Sequence, residues 1–486
     1  MRNVFFSDKK TTRPERVFLN PSDNPLRDKC GIFGIYGKGV DVARISFFGL
    51  YSLQHRGQEG AGITVTDGKK LKSVKGLGLV SAVFDEKKIN SLKGFSAIGH
   101  TRYSTTGGNK LCNVQPVVFN LKDDPFALAH NGNIINAMSL AHKLPSDVKL
   151  SSTSDTEIMG WVIKNSPGKN WEEKILSSFN KFQGAFSMIS LTKNKLIAFR
   201  DTYGFRPLVL GQLNGSYIVC SETCALDTVG AKFIREVAPG EIIVIDEKGV
   251  HSFGKIQSDK KRFCLFEFVY LARPDSIFDK QLVHQVRQRS GEILAHESPI
   301  GADMVVAVPD SGTSAAIGYS KASGIPYGEV LIKNRYIGRT FIQPEQHIRE
   351  MGVRIKFNPL KEVVKGKRII IIDDSIVRGT TIKKIVKMLR NCGVKKVHIR
   401  VCSPPVTDPC YFGIDTPDKK QLIASHMSVK EIKKFIGADS LAYLSLEGLK
   451  KASRIKSNKL CDSCFTGKYP MPVEGGFRKD VFETII

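Results

Sequence analysis

The pattern of apolar positions changes near residue 255 and divides the chain into two parts. Before that point, short apolar runs separated by turns are typical of β-strands. These runs are GIFGIYG (31–37), GITVT (62–66), SAIGH (96–100), FALAH (126–130), GAFSMISL (184–191), KLIAFRD (195–201), RPLVLG (206–211) and SYIVCSE (216–222). One stretch, VARISFFGLYSLQH (42–55), has helical spacing instead, and the residues near its apolar face are Ile45, Phe48, Leu50 and Leu53. The pattern predicts a layered α+β domain with antiparallel sheets over residues 30–255.

From residue 256 to residue 486, apolar strands alternate with polar loops and helices. Residues 302–324 and 366–393 each read as strand, loop and helix, and the short runs EVLI (329–332) and KKVHIRVC (395–402) read as strands. Fully apolar strands in this order indicate a parallel sheet covered on both faces. Ligands of such sheets bind beyond the carboxyl ends of the strands. The loops DSGTS (310–314) and DDSIVRGTT (373–381) are therefore the candidate site.

Composition supports an enzyme with more than one domain. The chain has 486 residues, of which 41% are hydrophobic and 25% charged, enough to form two or more cores. It has no run of about 18 apolar residues, so no membrane span is expected. The net charge of +26 would suit anionic partners, but the lysines are scattered and no basic block alternates with aromatic residues. We therefore expect a lysine-rich solvated surface and no nucleic-acid partner.

The segment IIIIDDSIVRGTT (369–381) has the features of a phosphate site. A buried strand ends in two carboxylates, and a loop with a glycine and two threonines opens a helix. Backbone amides at such a helix start bind phosphate, whereas Asp373 and Asp374 can accept hydrogen bonds from ribose hydroxyls or bind Mg²⁺. The alternative is a capped helix whose acids are merely solvated.

The segment resembles the phosphoribosyl pyrophosphate (PRPP) motif of type I phosphoribosyltransferases. In that family the two acids hold the ribose hydroxyls, the loop holds the 5-phosphate, and one Mg²⁺ per subunit bridges the pyrophosphate. Residues 308–312 resemble the companion pyrophosphate loop, and KNRYIGRTFI (333–342) resembles the flexible loop that closes over PRPP. The resemblance implies that PRPP is bound by Asp373, Asp374, Ser375, Arg378, Gly379, Thr380, Thr381, Lys333, Arg335 and Arg339, and Mg²⁺ by Ser311, Asp373 and Asp374.

Cys30 opens the first apolar run, and a lone cysteine there is commonly a small buried hydrophobe. Its companions, HTRYST (100–105), AHNGNI (129–134), STSDTE (152–157), QGAFS (183–187) and RDTYGFRPL (200–208), together resemble the class II, N-terminal-nucleophile glutamine amidotransferase domain, an αββα sandwich. The resemblance implies that Cys30 attacks glutamine with its own freed α-amino group as base. It further implies an oxyanion hole at Asn131 and Gly132, and substrate binding by Arg102 and Asp155. We expect His100 and His130 to be core residues without a catalytic role.

If the mature chain starts at Cys30, residues 1–29 are a removable pro-segment. This leader is longer than such a segment is expected to be, which leaves organelle import open beside the cytoplasmic location that we expect. Its residues Glu15, Asp23 and Asp28 make import less favoured, because transit peptides are poor in acids.

Ten cysteines include one CxxC pair, Cys461 and Cys464, whose spacing leaves zinc, an iron–sulfur cluster and redox exchange open. The contexts RFCLFEFVYLARPDS (262–276), DPCYFGID (408–415) and CDSCFTGKYP (461–470) resemble the cluster-bearing branch of the glutamine PRPP amidotransferase family. The resemblance implies a [4Fe–4S] cluster held by Cys264, Cys410, Cys461 and Cys464. The remaining thiols are expected to be ordinary: Cys112, Cys220, Cys224, Cys392 and Cys402.

The resemblance to that family covers residues 30–470 and implies the first committed step of purine synthesis. PRPP, glutamine and water would give 5-phosphoribosylamine, glutamate and pyrophosphate, with ammonia passing inside a protein that is typically homotetrameric and inhibited by purine nucleotides. One alternative is another amidotransferase, such as a glucosamine-phosphate synthase or an asparagine synthetase, but those lack the PRPP motif. The other is a non-enzymatic PRPP sensor that binds nucleic acid.

Overall fold

The computed structural model describes residues 30–103, 108–119, 121, 124–256, 260–333, 357–414, 416 and 418–473. The leader 1–29 and the predicted PRPP ligands Arg335 and Arg339 lie outside these described residues. No helix of the described chain is long and apolar enough to cross a membrane.

The first part of the chain forms two antiparallel sheets with short helices between the strands. In chain order its elements are β1 (Gly31–Tyr36), α1 (Val42–Ser52), β2 (Gly60–Thr66), β3 (Leu71–Leu77), α2 (Val80–Val83), α3 (Glu86–Ser91), β4 (Ser96–Arg102), β5 (Val117–Phe119), β6 (Phe126–Ile134), α4 (Ala137–Ala141), α5 (Asp155–Lys164), α6 (Trp171–Ser178), β7 (Gly184–Leu191), β8 (Leu196–Arg200), β9 (Val209–Leu213), β10 (Ser216–Cys220), α7 (Thr223–Val229), β11 (Lys232–Glu236), β12 (Glu241–Asp246) and β13 (Gly249–Lys255).

The two sheets pack face to face and each carries helices on its outer face. Among the described residues the strand orders are β11-β9-β10-β1-β4-β2-β3 and β13-β12-β8-β7-β6-β5. One apolar core lies between the sheets, a second joins α1, α2, α3 and α7 to the first sheet, and a third joins α4, α5 and α6 to the second. The prediction of an αββα sandwich is therefore confirmed.

Helix α1 buries the predicted apolar face except at one position. Leu50 and Leu53 are buried, and Ile45 packs against the same core. Phe48, expected on the apolar face, is 47% exposed. The buried positions include Ser46 and Leu50, and Phe47 and Phe48 are in edge contact with each other. Small residues let the helix approach the sheet closely, which turns the aromatic side outward.

The second part of the chain combines a parallel sheet with helices and several short strand pairs. Its elements are β14 (Phe263–Cys264), a π-helical turn (Glu267–Leu271), β15 (Ile277–Phe278), β16 (Gln281–Leu282), α8 (Val283–Glu297), β17 (Met304–Ala307), α9 (Thr313–Ser323), β18 (Leu331–Lys333), β19 (Phe357–Pro359), α10 (Lys361–Val364), β20 (Arg368–Asp373), α11 (Thr380–Asn391), β21 (Lys396–Val401), α12 (Val429–Ile436), β22 (Ser440–Tyr443), α13 (Leu446–Ser453), β23 (Leu460–Cys461) and α14 (Ser463–Thr466).

The parallel sheet has the order β17-β20-β21-β22 in the described residues, as the apolar pattern predicts. The EVLI run is a strand only at its end. There, β18 pairs antiparallel with β19 instead of joining the parallel sheet. Apolar cores cover both faces of the sheet: Ile370 and Ile372 point to one core, and Ile369 and Ile371 to the other. β20 is therefore buried on both faces, and Asp373 is its last residue, at the carboxyl end.

Candidate active sites

Cys30 lies directly before β1, where the first strand of the sandwich begins beside the end of β4. Gly31 is paired with Thr101, and the Gly31 amide donates to Thr101 Oγ1 at 3.2 Å. The Cys30 side chain is buried, and its Sγ donates to the Tyr103 carbonyl oxygen at 3.4 Å. The predicted nucleophile therefore lies where β1 meets the end of β4, near the charge of Arg102.

Burial controls the ionisation of this thiol. It raises the pKa of Cys30 to about 12, against the opposing positive charge of Arg102. The thiol is therefore protonated at neutral pH while Cys30 is joined to residue 29 by a peptide bond. Because the thiolate is the nucleophilic form, the residue needs a base to react.

Asn131 and Gly132 lie on β6 of the second sheet. The Asn131 Nδ2 donates to Ser221 Oγ at 3.4 Å, and Ser221 Oγ also accepts from the Ile32 amide at 3.0 Å. Ser221 thus ties the strand of Asn131 to the strand that follows Cys30. A Cβ atom on Gly132 would lie 1.9 Å from the Ala185 carbonyl oxygen, so only glycine fits there.

Arg102 and Asp155, the predicted glutamine ligands, are both buried. Arg102 ends β4 and donates from Nη2 to the Gly108 carbonyl oxygen at 3.3 Å. Asp155 begins α5 and accepts from the Ile134 amide at 3.2 Å. Burial favours a raised pKa for Asp155, but the adjacent His130 and these hydrogen bonds lower it overall, so the carboxylate is charged.

The two histidines lie in the core, as expected from the sequence. His100 Nε2 lies 3.2 Å from the His130 carbonyl oxygen, and burial lowers the pKa of His100 to about 3. His130 Nδ1 lies 3.5 Å from Asp155 Oδ2, and its Nε2 lies 3.3 Å from the Ala185 carbonyl oxygen. His130 therefore helps to fix the position of the Asp155 carboxylate.

A buried network of charges stands behind Cys30. Arg56 donates from Nε to the Cys30 carbonyl oxygen at 3.4 Å and from Nη2 to Glu267 Oε1 at 3.0 Å. Its Nη1 also donates to Glu222. Arg206 Nη1 donates to the same Glu267 oxygen at 3.3 Å. These four charged side chains are 0–1% exposed and balance one another, two positive against two negative.

In the second domain, the two predicted loops meet at the carboxyl ends of β17 and β20. Ser311 Oγ donates to Asp374 Oδ1 at 2.5 Å, and Ser375 Oγ donates to Asp374 Oδ2 at 2.6 Å. The Asp374 amide donates to Asp373 Oδ1 at 3.0 Å. Burial raises the pKa of Asp374, although the two serine hydroxyls and Arg287 oppose this. The predicted metal contacts Ser311, Asp373 and Asp374 therefore lie together.

The phosphate loop leads into α11 through Gly379, which has a φ of +73°. Thr380 and Thr381 form the first turn of this helix. Arg378 donates from Nη2 to Gln421 Oε1 at 2.7 Å on the outer side of the loop. The arrangement places backbone amides and the two threonine hydroxyls at a helix start, which suits phosphate binding.

Lys333 ends β18 and is ion-paired with Asp310 of the other loop. Three cationic residues are predicted to face the pyrophosphate, and Lys333 is the one that the structure describes. Its ion pair with Asp310 places it beside the predicted pyrophosphate loop. Arg335 and Arg339 lie outside the described residues and stay predictions.

The four predicted cluster cysteines come from three segments that converge. β14 and β23 are paired in parallel with Cys264 opposite Cys461. The Cys464 carbonyl oxygen accepts from the Asp408 amide at 3.2 Å, and the Phe412 amide donates to Cys410 Sγ at 3.4 Å. Burial raises the pKa of Cys464 well above its usual value, and the other three thiols raise it further. Within the described residues, no three metal-binding side chains are arranged to hold a single metal ion.

The segment around Cys410 also touches the strand of the predicted oxyanion hole. Asn133 Nδ2 donates to the Tyr411 carbonyl oxygen at 2.9 Å, and Arg206 Nε donates to the Phe412 carbonyl oxygen at 2.8 Å. The Phe205 and Phe412 rings are stacked, with centroids 4.4 Å apart. The strand that holds the predicted oxyanion hole and the segment around Cys410 are thus in direct contact.

Sequence reasoning missed the residues that support these sites. They are Arg56, Arg206, Ser221, Glu222, Glu267 and Arg287, all buried. A charged residue flanked by ordinary loop or helix sequence carries no local signal of burial. Its partners are 61 to 211 positions away in the chain for the pairs that involve Glu267, so only folding brings them together.

Two family models match the chain, one in each part. A glutamine amidotransferase domain matches residues 100–228, and a phosphoribosyl transferase domain matches residues 275–405. Both matches lie within the predicted ranges 30–255 and 256–486.

Similar proteins cover nearly the whole chain. An amidophosphoribosyltransferase of Synechococcus elongatus is 49% identical over 462 residues, which is 94% of each chain. A chloroplastic amidophosphoribosyltransferase of Arabidopsis thaliana is 47% identical over 96% of this chain and 82% of its own length. The structure of the Bacillus subtilis glutamine PRPP amidotransferase complexed with ADP and GMP superposes with a TM-score of 0.87 at 46% identity, covering 92% of this chain and 98% of that one.

Proposed function

The chain belongs to the amidophosphoribosyltransferase family, whose enzymes carry out the first step of purine biosynthesis, and from this premise we propose how its residues divide the reaction. Glutamine is hydrolysed in the first domain, and the ammonia is transferred to C1 of PRPP in the second. The observation that carries this proposal is the contact between the Asn131–Asn133 strand and the segment 410–413, which joins the first domain to the second.

In the first domain, the Cys30 thiol attacks the carboxamide of glutamine and expels ammonia, and water then hydrolyses the thioester to glutamate. The buried thiol is protonated at neutral pH, so it needs a base. A free α-amino group, with an ordinary pKa near 8, can take the proton, whereas a peptide nitrogen cannot. The proposal therefore includes removal of residues 1–29 as a pro-segment.

The other residues of the first domain bind and polarise the substrate. Asn131 and the backbone amide of Gly132 donate to the oxyanion of the tetrahedral intermediate. Arg102 pairs with the α-carboxylate of glutamine, and the charged carboxylate of Asp155 holds its ammonium group.

In the second domain, Asp373 and Asp374 accept from the ribose hydroxyls of PRPP, and residues 375–381 bind its 5-phosphate. Phosphoribosyl transferases typically use Mg²⁺. Mg²⁺ keeps several waters and takes one or two carboxylates plus substrate phosphates, so the adjacent acids and Ser311 suit it without a third carboxylate. When bound, Mg²⁺ would neutralise charge on the departing pyrophosphate. We assign to Lys333, Arg335 and Arg339 the role of supplying positive charge to the pyrophosphate.

Four thiols from three converging segments, two of them buried and two half-buried, suit an iron–sulfur cluster in number and kind. When bound, such a cluster would take all four cysteines as thiolate ligands. Burial raises the pKa of Cys264 and of Cys410, and the positive charge of the buried Arg206 opposes this rise. We assign Cys264, Cys410, Cys461 and Cys464 to a [4Fe–4S] cluster. Iron and sulfide analysis of protein purified without oxygen tests this, and zinc in their place would overturn it.

Purine nucleotides are proposed as inhibitors, which is supported by the ADP and GMP named for the Bacillus subtilis structure. A homotetramer and a cytoplasmic location also belong to the proposal. The nucleic-acid-binding alternative is not favoured, because similar proteins across nearly the full chain are amidophosphoribosyltransferases.

Two variants test the division of labour. Cys30→Ala should abolish phosphoribosylamine formation from glutamine and leave formation from ammonia within about twofold, because ammonia enters after the missing step. Asp373→Asn should do the reverse, leaving a basal glutaminase that PRPP no longer stimulates. Product formation and glutamate release are measured separately.

The matched controls are Cys112→Ala, an exposed thiol, and Asp303→Asn, an acid at the opposite end of the β20 sheet. Both controls should keep both activities. If Cys30→Ala loses the ammonia-dependent reaction as well while remaining folded, the two reactions are not separable and the proposal is wrong.

A further inference from the structure

Gly413 of the second domain packs directly against Gly132 of the predicted oxyanion hole. Gly413 has a φ of +97°, a conformation that favours glycine. A Cβ atom on Gly413 would lie 3.0 Å from the carbonyl carbon of Gly132 and 3.1 Å from its Cα. Carbon atoms in contact prefer a separation of about 3.5–4.0 Å, so a side chain on residue 413 would displace the Gly132 backbone. The two backbones are therefore in close contact across the domain boundary.

Gly132 has little room to move away from this contact. It lies on β6 and is paired with Phe186 of β7. A Cβ atom on Gly132 would lie 1.9 Å from the Ala185 carbonyl oxygen, so β7 is also close to it. Both β7 and Gly413 thus limit the position of the Gly132 backbone.

The segment that carries Gly413 is itself fixed to the first domain. The Tyr411 carbonyl oxygen accepts from Asn133 Nδ2 at 2.9 Å, and the Phe412 carbonyl oxygen accepts from Arg206 Nε at 2.8 Å. Arg206, Phe412 and Asn133 are all buried. Hydrogen bonds to two successive carbonyl oxygens define the path of the chain into Gly413, so this residue has a defined place beside β6.

The position of the Gly132 backbone matters because an oxyanion hole acts through donors that are aimed in advance at the developing charge. The negative charge is on the substrate oxygen only in the tetrahedral intermediate and the transition states that lead to it. A misplaced donor therefore weakens binding of the transition state more than binding of glutamine, which lowers kcat and leaves KM nearly unchanged.

We propose that Gly413 is a positioning residue of the glutaminase reaction, which fixes the Gly132 backbone and thereby the amide that donates to the oxyanion. This inference rests on the proposed function, which places that amide in the oxyanion hole. The donors of the hole belong to the first domain, whereas the backbone that keeps one of them in place belongs to the second. Gly413 acts through Gly132 and makes room for it by having no side chain.

The test measures glutamate release by the full enzyme carrying Gly413→Ala, over a range of glutamine concentrations. We expect kcat to fall about tenfold or more, and the KM for glutamine to stay within about twofold. Alkylation of Cys30 by iodoacetamide, followed by peptide mass spectrometry, should keep its wild-type rate within about twofold. In that reaction the thiolate sulfur displaces iodide and no oxyanion forms, so the rate reports on the nucleophile and not on the hole.

Gly249→Ala is the matched control for backbone strain. Gly249 has a φ of +104° at the start of β13, and the nearest atom to an added Cβ is Tyr217 Oη at 3.8 Å. This variant carries similar strain without a contact to the glutamine site, so it should keep the wild-type kcat and KM.

A second variant adds no atom to the contact between Gly413 and Gly132. Asn133→Ala removes the hydrogen bond to the Tyr411 carbonyl oxygen, and we expect it to lower kcat about threefold with an unchanged KM. If Gly413→Ala does not fold, Asn133→Ala decides the question, and a wild-type kcat in Asn133→Ala would then overturn the inference.

Asn131→Ala distinguishes failure of the inference from failure of the proposed function. It removes the other donor of the hole and should lower kcat about 100-fold. If kcat falls in Asn131→Ala but folded Gly413→Ala keeps the wild-type kcat, the inference is wrong and the proposed function stands. If Asn131→Ala keeps the wild-type kcat, the assigned hole is wrong and both fail. A raised KM or slower alkylation of Cys30 in Gly413→Ala would indicate a general disturbance of the site and would also overturn the inference.

Discussion

Cys30 and His100 show how burial acts on single residues of the first domain. Both are enclosed between the sheets near the glutamine site, and in both the charged form is disfavoured. The pKa of the Cys30 thiol rises to about 12, whereas that of the His100 imidazole falls to about 3. The two side chains are therefore neutral at pH 7.

His100 gives a prediction about acid stability. Its pKa is lowered in the folded state, so the unfolded chain binds a proton more readily below about pH 6.5, and the free energy of unfolding falls as pH decreases. For one such group the loss is about 1.4 kcal/mol per pH unit between pH 6 and 4. His100→Gln should flatten this dependence, as measured by urea unfolding at several pH values. His142→Gln, an exposed residue of the same domain, should leave the slope unchanged; an equally steep slope in His100→Gln would contradict the prediction.

At the scale of one element, the phosphate loop and α11 depend on a single glycine. Gly379 adopts a φ of +73° at the start of the helix, a conformation that other residues adopt only with strain. A Cβ atom there would lie 2.9 Å from Ile423 Cδ1. The loop thus packs closely against Ile423. We expect this contact to fix the orientation of the backbone amides of the loop.

The prediction compares two glycines of the same domain. Gly379→Ala should raise the KM for PRPP about tenfold in the ammonia-dependent assay, because strain and the contact with Ile423 shift the loop. Gly366→Ala has nearly the same φ, +75°, with no atom within 4 Å of the added methyl group. It should lower stability by a similar strain energy but leave the KM for PRPP unchanged. Equal KM values for the two variants would show that the loop is not positioned by Ile423.

At the scale of the whole molecule, the cysteine segment connects the two domains. Phe412 is buried against Phe205 of the first domain, with ring planes at 10°. The neighbouring carbonyl oxygens of Tyr411 and Phe412 accept from Asn133 and Arg206. The contact combines apolar packing with hydrogen bonds. Because unfolding of either domain would break both, we expect the two domains to unfold together.

Phe412→Ala is expected to separate their unfolding. Removing the ring should cost about 3–5 kcal/mol, and because the loss falls on the contact between domains, calorimetry should resolve two transitions in place of one. Phe278→Ala removes a ring from the core of the second domain and serves as the control. It should lower the transition temperature without splitting the transition. A single transition in folded Phe412→Ala would show that other contacts suffice to couple the domains.

The sequence determined by itself the features that are local in the chain. The strand, two acids, glycine loop and helix of residues 368–391 are contiguous, so their periodicity predicted both the elements and the candidate phosphate site. The short β-runs of the first domain and the cysteine at its start were likewise readable. The exposure of Phe48 on α1 and the separate pairing of β18 could not be predicted from the sequence. The first depends on how closely the small residues of α1 approach the sheet, and the second on the position of β19.

Only the tertiary structure decided which charges lie buried together. Arg56, Glu222, Glu267 and Arg206 come from four distant segments, and each would be expected at the surface from its residue type. They are buried because each compensates another, and the two pairs that involve Glu267 form only after both domains have folded against each other. The local sequence therefore predicted the candidate residues of each site, whereas the contacts that join the two domains depend on long-range packing.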